Sequence, residues 1–192
     1  MIRRRAVAAT AIGLVIASVL ALLSGCAKAE EIYVPSDYVA WHRTTDVVLN
    51  YPIPGHMDRF RLPRMNDLGY KTLPKMVAGK LRWDFPEDTV IAKEVYASAK
   101  PAPGEKPIQL TIMIKDPSDK RNLGGWLWYT KDLPNGEETL FEGNYCITCH
   151  ANANEQHPYG DGNPNEEFRD YVYFVPGETP LRRPAPAHGG GY

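Results

Sequence analysis

Cysteine is scarce in this chain, with three among its 192 residues. Cys26 lies near the start, and the other two, Cys146 and Cys149, are three positions apart. If that pair holds a cofactor through its sulfur atoms, no disulfide can form. A structural zinc site is disfavoured as well, because it needs further ligands at matched spacing and the remaining cysteine lies at the N-terminus.

Strong charge of either sign is also lacking. The chain carries 22 basic and 23 acidic residues, for a formal net charge of −1. Lys and Arg form no stripe along the sequence. This balance favours solubility and provides no electrostatic footprint for nucleic acid. We therefore expect no nucleic-acid partner.

A long apolar run occurs only near the N-terminus. Three arginines at positions 3–5 precede the run Ala6–Leu22, and Leu23-Ser24-Gly25 then leads to Cys26. This pattern is typical of a lipoprotein signal peptide, which is cleaved before Cys26 so that the sulfur of that residue can be acylated. The run is short for a membrane span, and an uncleaved anchor helix is the alternative.

The predicted cleavage has consequences for location and size. Stable anchoring needs more than one acyl chain, which the lipoprotein pattern supplies. Ala27 follows the modified cysteine, where Asp would favour retention at the inner membrane, so we expect anchoring to the outer membrane, facing the periplasm. Cleavage leaves 167 residues (192 minus 25), a length that suits one domain with a real core.

Strand-like alternation is commoner in the mature chain than helical periodicity. In 109–114, Leu110, Ile112 and Ile114 fall on one face, the side-chain types of 126–129 and 171–174 alternate as in strands, and Thr89–Tyr96 is rich in β-branched residues. Helices are predicted from Ser36 or Asp37 through Trp41 to Thr45, from Asn66 or Asp67 to about Ala78 with a bend at Pro74, and from Leu140 to His150. Because strands outnumber helices, we predict an α+β fold built on an antiparallel sheet.

The segment Cys146-Ile147-Thr148-Cys149-His150 has the spacing that attaches a c-type haem. Two thiols three positions apart can reach both vinyl groups of one haem, and His150 then lies beneath the iron as its proximal ligand. A redox dithiol would not need the histidine, and His157, which could join a zinc site, lies in a loop of Gly, Pro and Asn. One covalent haem c is therefore the predicted cofactor.

The ligand on the other side of the iron decides between two functions. A methionine there suits electron transfer, whereas an open position suits small-molecule chemistry. Each methionine is explained better as an adaptable core residue than as a ligand, and His56, which follows Pro54-Gly55 in a turn, is expected to be solvated. The candidates for this ligand are Met57, Met65, Met76, Met113, His42, His56 and His157.

Several segments in this order resemble the cytochrome P460 family, which includes the β-sheet cytochromes c-prime. The matching segments are Pro35-Ser36-Asp37-Tyr38 with Trp41, Phe85-Pro86-Glu87-Asp88-Thr89-Val90 before Lys93-Glu94, Lys115-Asp116 with Gly124-Gly125-Trp126, the haem motif, and Asp170-Tyr171-Val172-Tyr173. They extend over nearly all of the mature core.

The resemblance implies an antiparallel sheet, a homodimer, and a haem with His150 on one side and an open face on the other. Enzymatic members oxidise hydroxylamine and carry a bond from a lysine to a meso carbon of the haem, whereas other members bind nitric oxide. That lysine must be a neutral amine in a desolvated pocket. By its place before Phe85, Lys80 is the nearest match, with Lys75 and Lys71 as fallbacks.

The sequence thus predicts a periplasmic, lipid-anchored mono-haem c-type cytochrome that receives or passes electrons through a periplasmic partner. Its open iron face would bind or oxidise small nitrogen species, hydroxylamine or nitric oxide, and whether it is an enzyme stays open. The alternative is a six-coordinate electron carrier. The predicted segments are a signal peptide (1–25), a lipid-anchored tether (26–32), a P460-like haem domain (33–175) and a flexible tail (176–192).

Two further features concern the surroundings of the haem. The residues 151–169 form a polar insert rich in Asn and Asp. A calcium site is conceivable there, but the spacing fits no EF-hand, and a turn-rich loop that shields a haem edge or docks a partner is the other interpretation. Arg61, Arg64 and Arg121 are candidates to pair with haem propionates.

Overall fold

An antiparallel sheet of six strands is the main element of the residues that the structure describes. The computed structural model describes residues 34, 36–45, 49–53, 55–56 and 59–177. The chain divides into two units, residues 1–34 and 35–192, and all that follows concerns the second. In spatial order the sheet comprises β1 (His42–Arg43), β2 (Arg61–Met65), β5 (Val90–Val95), β6 (Gln109–Lys115), β7 (Trp126–Asp132) and β8 (Glu138–Leu140).

The remaining elements are short. The strands β3 (Lys75–Val77) and β4 (Lys80–Arg82) form a separate antiparallel hairpin. The α-helices are α1 (Asp67–Tyr70) and α2 (Tyr145–His150), and 3-10 helices span Ser36–Ala40 and Ala151–Asn154. The predicted α+β fold with an antiparallel sheet is therefore confirmed.

The central strands follow the alternation and the β-branched composition that predicted them. In β6, Leu110 and Ile112 are buried on the face that the sequence assigned to them, and β6 pairs with β7 in a register that sets Met113 opposite Trp128. The neighbouring strand β5 lies within the predicted range 89–96. These three strands form the middle of the sheet, where local preference and packing agree.

The two predicted N-terminal helices are mostly wrong. Asn66 caps α1 as expected, accepting a hydrogen bond from Gly69 N at 3.1 Å, but the helix ends at Tyr70. A hairpin follows because Ala78 and Gly79, with φ of 50° and 82°, form a tight turn between β3 and β4. Likewise, residues 42–43 pair with β2 as a strand rather than continuing a helix.

The third predicted helix is shorter than expected, and one predicted strand is absent. Residues 138–140 pair with β7, so that the helix begins only at Tyr145. Residues 171–174 form no strand, because Asp170 and Tyr171 have positive φ values of 49° and 69° that interrupt extended backbone. The alternation there arises from a turn that buries Val172 against the core.

The buried cluster that adjoins the haem motif lies against one face of the sheet. Cys146, Ile147 and Tyr171 are partly buried and pack against a cluster of buried side chains. Two candidate methionine ligands belong to that cluster as ordinary core residues. The cluster comprises Met65, Trp83, Phe85, Ile91, Met113, Trp126, Trp128, Val172 and Val175.

Several predictions lie outside the described residues. These are the signal peptide, the acylated Cys26, the tether over 26–32 and nearly all of the tail. They stay predictions, as do the domain boundaries drawn from them. In the part of the chain that the structure describes, no helix is both long and apolar enough to span a bilayer.

Candidate haem site

The helix α2 presents the three residues of the haem motif at the edge of the core. Cys146 is partly buried and Cys149 is exposed, and both are free thiols. Residues three apart lie on the same side of a helix, so the two sulfur atoms can reach one planar ligand. Asn144 holds the start of the helix by accepting hydrogen bonds from Thr148, at 3.0 Å from the amide nitrogen and 2.6 Å from the hydroxyl.

A backbone carbonyl orients the imidazole of His150. The Nδ1 atom lies 2.9 Å from the carbonyl oxygen of Tyr171, and because a carbonyl can only accept, Nδ1 carries the proton. The Nε2 atom therefore carries a free lone pair, and histidines that bind metals have the same arrangement. Burial, and next the charge of Lys93, lowers the pKa of His150 to about 4, so the imidazole is neutral at physiological pH.

The carbonyl of Tyr171 is itself held in place by the preceding residue. Both carboxylate oxygens of Asp170 accept hydrogen bonds from Lys115 Nζ at 2.8 Å, and the carboxylate also accepts from Phe85 N at 3.1 Å and from Trp126 Nε1 at 3.3 Å. Asp170 is buried, with its side chain 5% exposed. This network ties the turn that carries the His150 partner to the strands β6 and β7.

The polar insert 151–169 is organised around a buried guanidinium. Arg169 is 1% exposed and donates to both oxygens of Asp161 at 2.7 Å, and to Glu167 at 3.3 Å. The amide of Asn163 is also buried and bonds to backbone groups of Ala153 and Glu167. Asp161 and Asn163, the principal oxygen donors of the calcium alternative, therefore already have partners. Within the described residues, no group of three His, Cys, Asp or Glu could hold a metal ion.

One lysine that the sequence analysis did not select lies beside the motif. Lys93, in β5, is partly buried, and its Nζ atom is 3.1 Å and 3.0 Å from the two ring nitrogens of His56. Burial, and next the charge of Arg61, lowers the pKa of Lys93 to about 7, while the Cys146 thiol opposes this shift. The amine is thus substantially uncharged near neutral pH. A lysine inside an apolar strand was the signal that could have identified it.

The three lysines chosen from the sequence lie elsewhere. Lys80 begins β4, its side chain is 56% exposed, and its amine pairs with Glu166 at 3.2 Å. Lys75 is exposed in β3, and Lys71 is an exposed partner of Asp67. These positions do not supply the desolvated surroundings that a neutral amine requires, and the role predicted for Lys80 stays a prediction.

His56 is partly buried, where the turn before it had suggested a solvated side chain. Its ring faces that of His150, with 6.3 Å between the ring centroids and 82° between the planes. Burial, and next the charge of Lys93, lowers the pKa of His56 to about 2, so this imidazole is neutral as well. Two neutral imidazoles and one amine with a lowered pKa therefore meet next to the haem motif.

Among the described residues, the other candidates for the sixth ligand are engaged elsewhere or exposed. The ring of His42 stacks on Tyr70 at 4.2 Å and bonds to Asp67. His157 packs edge-on against Tyr173 at 4.8 Å. Met76 is 66% exposed, and Met57 lies outside the described residues.

The arginines considered for the propionates have other partners. Arg61 is 1% exposed and donates to the carbonyl oxygens of Leu49 at 3.2 Å, of Tyr51, and of His56 at 3.5 Å. Arg64 bonds to Glu94 at 3.2 Å. Arg121 pairs with Asp119. Arg61 therefore organises the loop that carries His56 rather than an exposed anion site.

Comparison with known families decides the identity. The family model described as Cytochrome P460 matches residues 35–174 of this chain. The chain belongs to the cytochrome P460 family. This confirms the resemblance noted in the sequence, and no curated protein matches the chain. As a cytochrome P460, the protein is a c-type haem cytochrome that holds one haem covalently, in a family related to hydroxylamine oxidation.

The residues of this cytochrome P460 fit a covalently bound haem. Cys146 and Cys149 would form the thioethers, and His150 would bind the iron through Nε2, which the bond to Tyr171 leaves free. The fit rests on the hydrogen bond at Nδ1 and on the placement of both thiols on one helix. The assignment of these three residues, made from spacing, stays a prediction that the geometry supports.

Gly124 sets how closely α2 approaches the sheet, and replacing it by alanine is expected to destabilise the protein by about 1–3 kcal/mol. Its φ is +68°, and an added Cβ would lie 2.7 Å from Tyr171 Cε2 and 2.8 Å from Ile147 Cδ1. Both neighbours adjoin the haem motif and would have to shift. The measurement is the denaturant midpoint of the haem-loaded protein.

Gly136 provides the matched control for this prediction. Its φ is +75°, which imposes the same backbone strain on alanine, but nothing lies within 4 Å of the added Cβ. Gly136→Ala should therefore show only the strain. Equal losses in the two variants would mean that the contact with Tyr171 and Ile147 does not matter.

Proposed function

We propose that this protein is a lipid-anchored periplasmic cytochrome that binds or oxidises small nitrogen species, hydroxylamine or nitric oxide, at the iron face opposite His150. The observation that carries this proposal is Lys93. Its amine is partly buried beside His56, with a pKa lowered to about 7, and so it has the uncharged, nucleophilic character that the lysine–haem bond of this family requires.

Different groups of the chain would attach the haem, orient its proximal histidine and react with its ring. The two thioethers would keep the cofactor in place without relying on affinity, and Tyr171 would hold His150 in one tautomer and orientation. Lys93 would meet the edge of the ring from β5, on the side of the motif where Cys146 lies. When bound, the haem supplies an iron that accepts electrons and coordinates a small ligand.

The spectrum of the purified ferrous protein tests the role of Lys93. With a lysine–haem bond, the Soret band is strongly shifted to the red, and Lys93→Met is expected to return it to the position of an ordinary c-type haem. Lys80→Met is the control, because Lys80 is exposed and paired with Glu166, and it should leave the band unchanged. A shift that survives Lys93→Met but disappears in Lys80→Met would restore the original assignment.

Turnover and binding are then separated by two simple measurements. Consumption of hydroxylamine with an artificial electron acceptor would support an oxidoreductase. A protein without a red-shifted band whose ferrous spectrum changes with nitric oxide, and which does not consume hydroxylamine, would instead be a nitric oxide-binding protein. Lack of any response to either molecule would contradict the proposed function.

A six-coordinate electron carrier is the second candidate, and the position of His56 favours it. An imidazole that faces His150 at a ring separation of 6.3 Å is suitably placed to reach the same iron. If His56 bound the iron and were never displaced, the iron could exchange electrons but could not bind a substrate. The response to nitric oxide distinguishes this candidate as well.

The location and partners of the protein belong to the same proposal. Acylation at Cys26 would hold it on the outer membrane, facing the periplasm, where a soluble or membrane-bound electron-transfer protein could reach it. We also propose a homodimer, because it is the usual assembly that the family resemblance implies.

A further inference from the structure

We propose that the hairpin of β3 and β4, with the residues that lead into it, contacts the surface of the lipid bilayer to which acylation of Cys26 would attach the protein. This inference rests on the anchoring in the proposed function, and it does not concern the iron. It adds a second contact with the membrane, made by the folded domain itself. The partner is a bilayer that contains anionic phospholipid.

Exposed large apolar side chains are concentrated in one stretch of the chain. Of the six that the described residues contain, five lie between positions 39 and 77. The five are Val39, Leu68, Leu73, Met76 and Val77, and the sixth is Tyr145. Leu73 is 79% exposed and Met76 is 66% exposed. Single exposed apolar side chains are ordinary, whereas several in one stretch indicate a surface that another molecule covers.

The hairpin carries apolar side chains that the rest of the described chain does not cover. All three residues of β3, Lys75–Val77, are exposed, although a strand that packs on a core buries every second side chain. The register sets Met76 opposite Leu81, so these two side chains lie on one face of the hairpin. At the turn, nothing lies within 4 Å of a Cβ added to Gly79. The hairpin is therefore accessible to a partner from both faces.

The described fold begins close to this hairpin. The 3-10 helix Ser36–Ala40 precedes β1, where His42 bonds to Asp67 at 2.7 Å and stacks on Tyr70. Those two residues are the first and last of α1, and β3 starts five positions later. The ten peptide units from Cys26 to the start of the 3-10 helix span at most about 36 Å. So short a tether would give the hairpin a high effective concentration at the bilayer, where even a weak contact forms.

The charges around the hairpin favour a lipid surface over a second copy of this chain. Lys71, Lys75 and Lys80 are all exposed. The first and the last have exposed carboxylate partners, in pairs of a kind that contribute little, and Lys75 has no ion-pair partner among the described residues. A symmetric pair of copies joined at this surface would bring the same lysines together. Anionic headgroups would instead attract them, while their methylene stems lie along apolar surface.

Photolabelling of the acylated, haem-loaded protein in vesicles tests the proposal. The vesicles consist of phosphatidylethanolamine with a minority of phosphatidylglycerol, and a trace of phospholipid carries a diazirine in its acyl chain. Mass spectrometry of the peptides is expected to find label in residues 73–77. Leu73→Gln combined with Met76→Gln should reduce that label about tenfold or more, because the apolar side chains no longer enter the bilayer. An unchanged haem spectrum would show that this variant is folded.

Two variants are the controls. Met76→Leu keeps the apolar surface and should keep the label. Thr139→Gln introduces glutamine at an exposed position of β8, at the opposite edge of the sheet from β1, and should leave the label at the hairpin unchanged. A hairpin that is not labelled, or that is labelled equally in the wild type and the double glutamine variant, would overturn the proposal. So would a homodimer that the double glutamine variant abolishes, since a second copy would then cover the hairpin.

The outcomes separate this inference from the proposed function. An unlabelled hairpin in a protein that carries acyl chains on Cys26 and responds to nitric oxide would overturn the inference and leave the proposed function intact. Absence of acyl chains from Cys26 would contradict the proposed anchoring, and the same protein would then be mixed with the labelled vesicles. Label in residues 73–77 would still support the lipid contact, and its absence would overturn the contact as well.

Discussion

Replacing Cys146 and Cys149 together by serine is expected to abolish both thioether bonds to the haem. The reason is local: the two thiols are the only protein groups of the motif that can add to the vinyl carbons, and serine hydroxyls are not nucleophilic enough to replace them. Each single replacement should leave one thioether and a less firmly held cofactor. The mass of the denatured protein, after expression with a working haem-maturation system, measures the attachment directly.

Thr148→Ala is the control for this experiment. Thr148 lies between the two cysteines, and its hydroxyl donates to Asn144 O at 2.6 Å, outside the thioether chemistry. This variant should retain the covalent haem, since the spacing of the thiols is unchanged. A haem that remained covalently bound when the double serine variant also carried Lys93→Met would place the attachment on another residue and contradict the predicted thioethers.

Replacing Asp170 by alanine is expected to destabilise the haem-loaded protein by about 3–5 kcal/mol, because it leaves the half-buried Lys115 without its carboxylate. The amide of Phe85 and the indole nitrogen of Trp126 lose their acceptor at the same time. The measurement is the free energy of unfolding in denaturant. We also expect this replacement to disturb the haem site, because the next residue, Tyr171, supplies the carbonyl that orients His150.

Two variants sharpen this prediction. Burial raises the pKa of Asp170 even though Lys115 and its other donors oppose the shift. The cost of desolvating the carboxylate therefore offsets part of the stabilisation by the ion pair. Asp170→Asn, which keeps the shape and one acceptor oxygen, should therefore lose less stability than Asp170→Ala. Asp84→Ala, at an exposed pair with Arg82, should lose far less. Similar losses at Asp84 and Asp170 would contradict a special role for the buried network.

The haem motif and the central strands could be predicted because their signals are local. Cys146, Cys149 and His150 lie within five positions, and α2 only had to form for them to share one side. In the strand β6 the burial follows the alternation from Gln109 to Ile112, before Met113 is buried as well. In such segments the neighbours along the chain carry most of the information.

The failures came from turns whose backbone conformation the residue types did not reveal. The alternation around Tyr171 suggested a strand, but a positive φ at Asp170 and Tyr171 turns the chain there. The helix that was expected to continue beyond Tyr70 gave way to a hairpin, because residues 75–77 and 80–82 bond to each other across the turn. Pairing energy between segments overrode local preference in that case.

Lys93 shows the same difference between local and long-range signals. Lys80 was selected because it precedes Phe85 in the sequence, whereas Lys93 lies beside the motif through the packing of β5. The histidine that its amine contacts, His56, is 37 positions away along the chain. No periodicity connects two residues at that distance, and the lowered pKa of Lys93 depends on burial that only the folded chain provides.

The sequence by itself predicted a covalent haem, the two sulfur atoms that would attach it and the histidine that would bind its iron, because bond formation between neighbouring residues and one planar ring depends on spacing. The tertiary structure decided what surrounds the motif: the carbonyl of Tyr171 bonded to His150, the amine of Lys93 beside His56, and the imidazole of His56 with its centroid 6.3 Å from that of His150. These groups come from distant segments, and desolvation by the packed core sets their charge and therefore their chemistry.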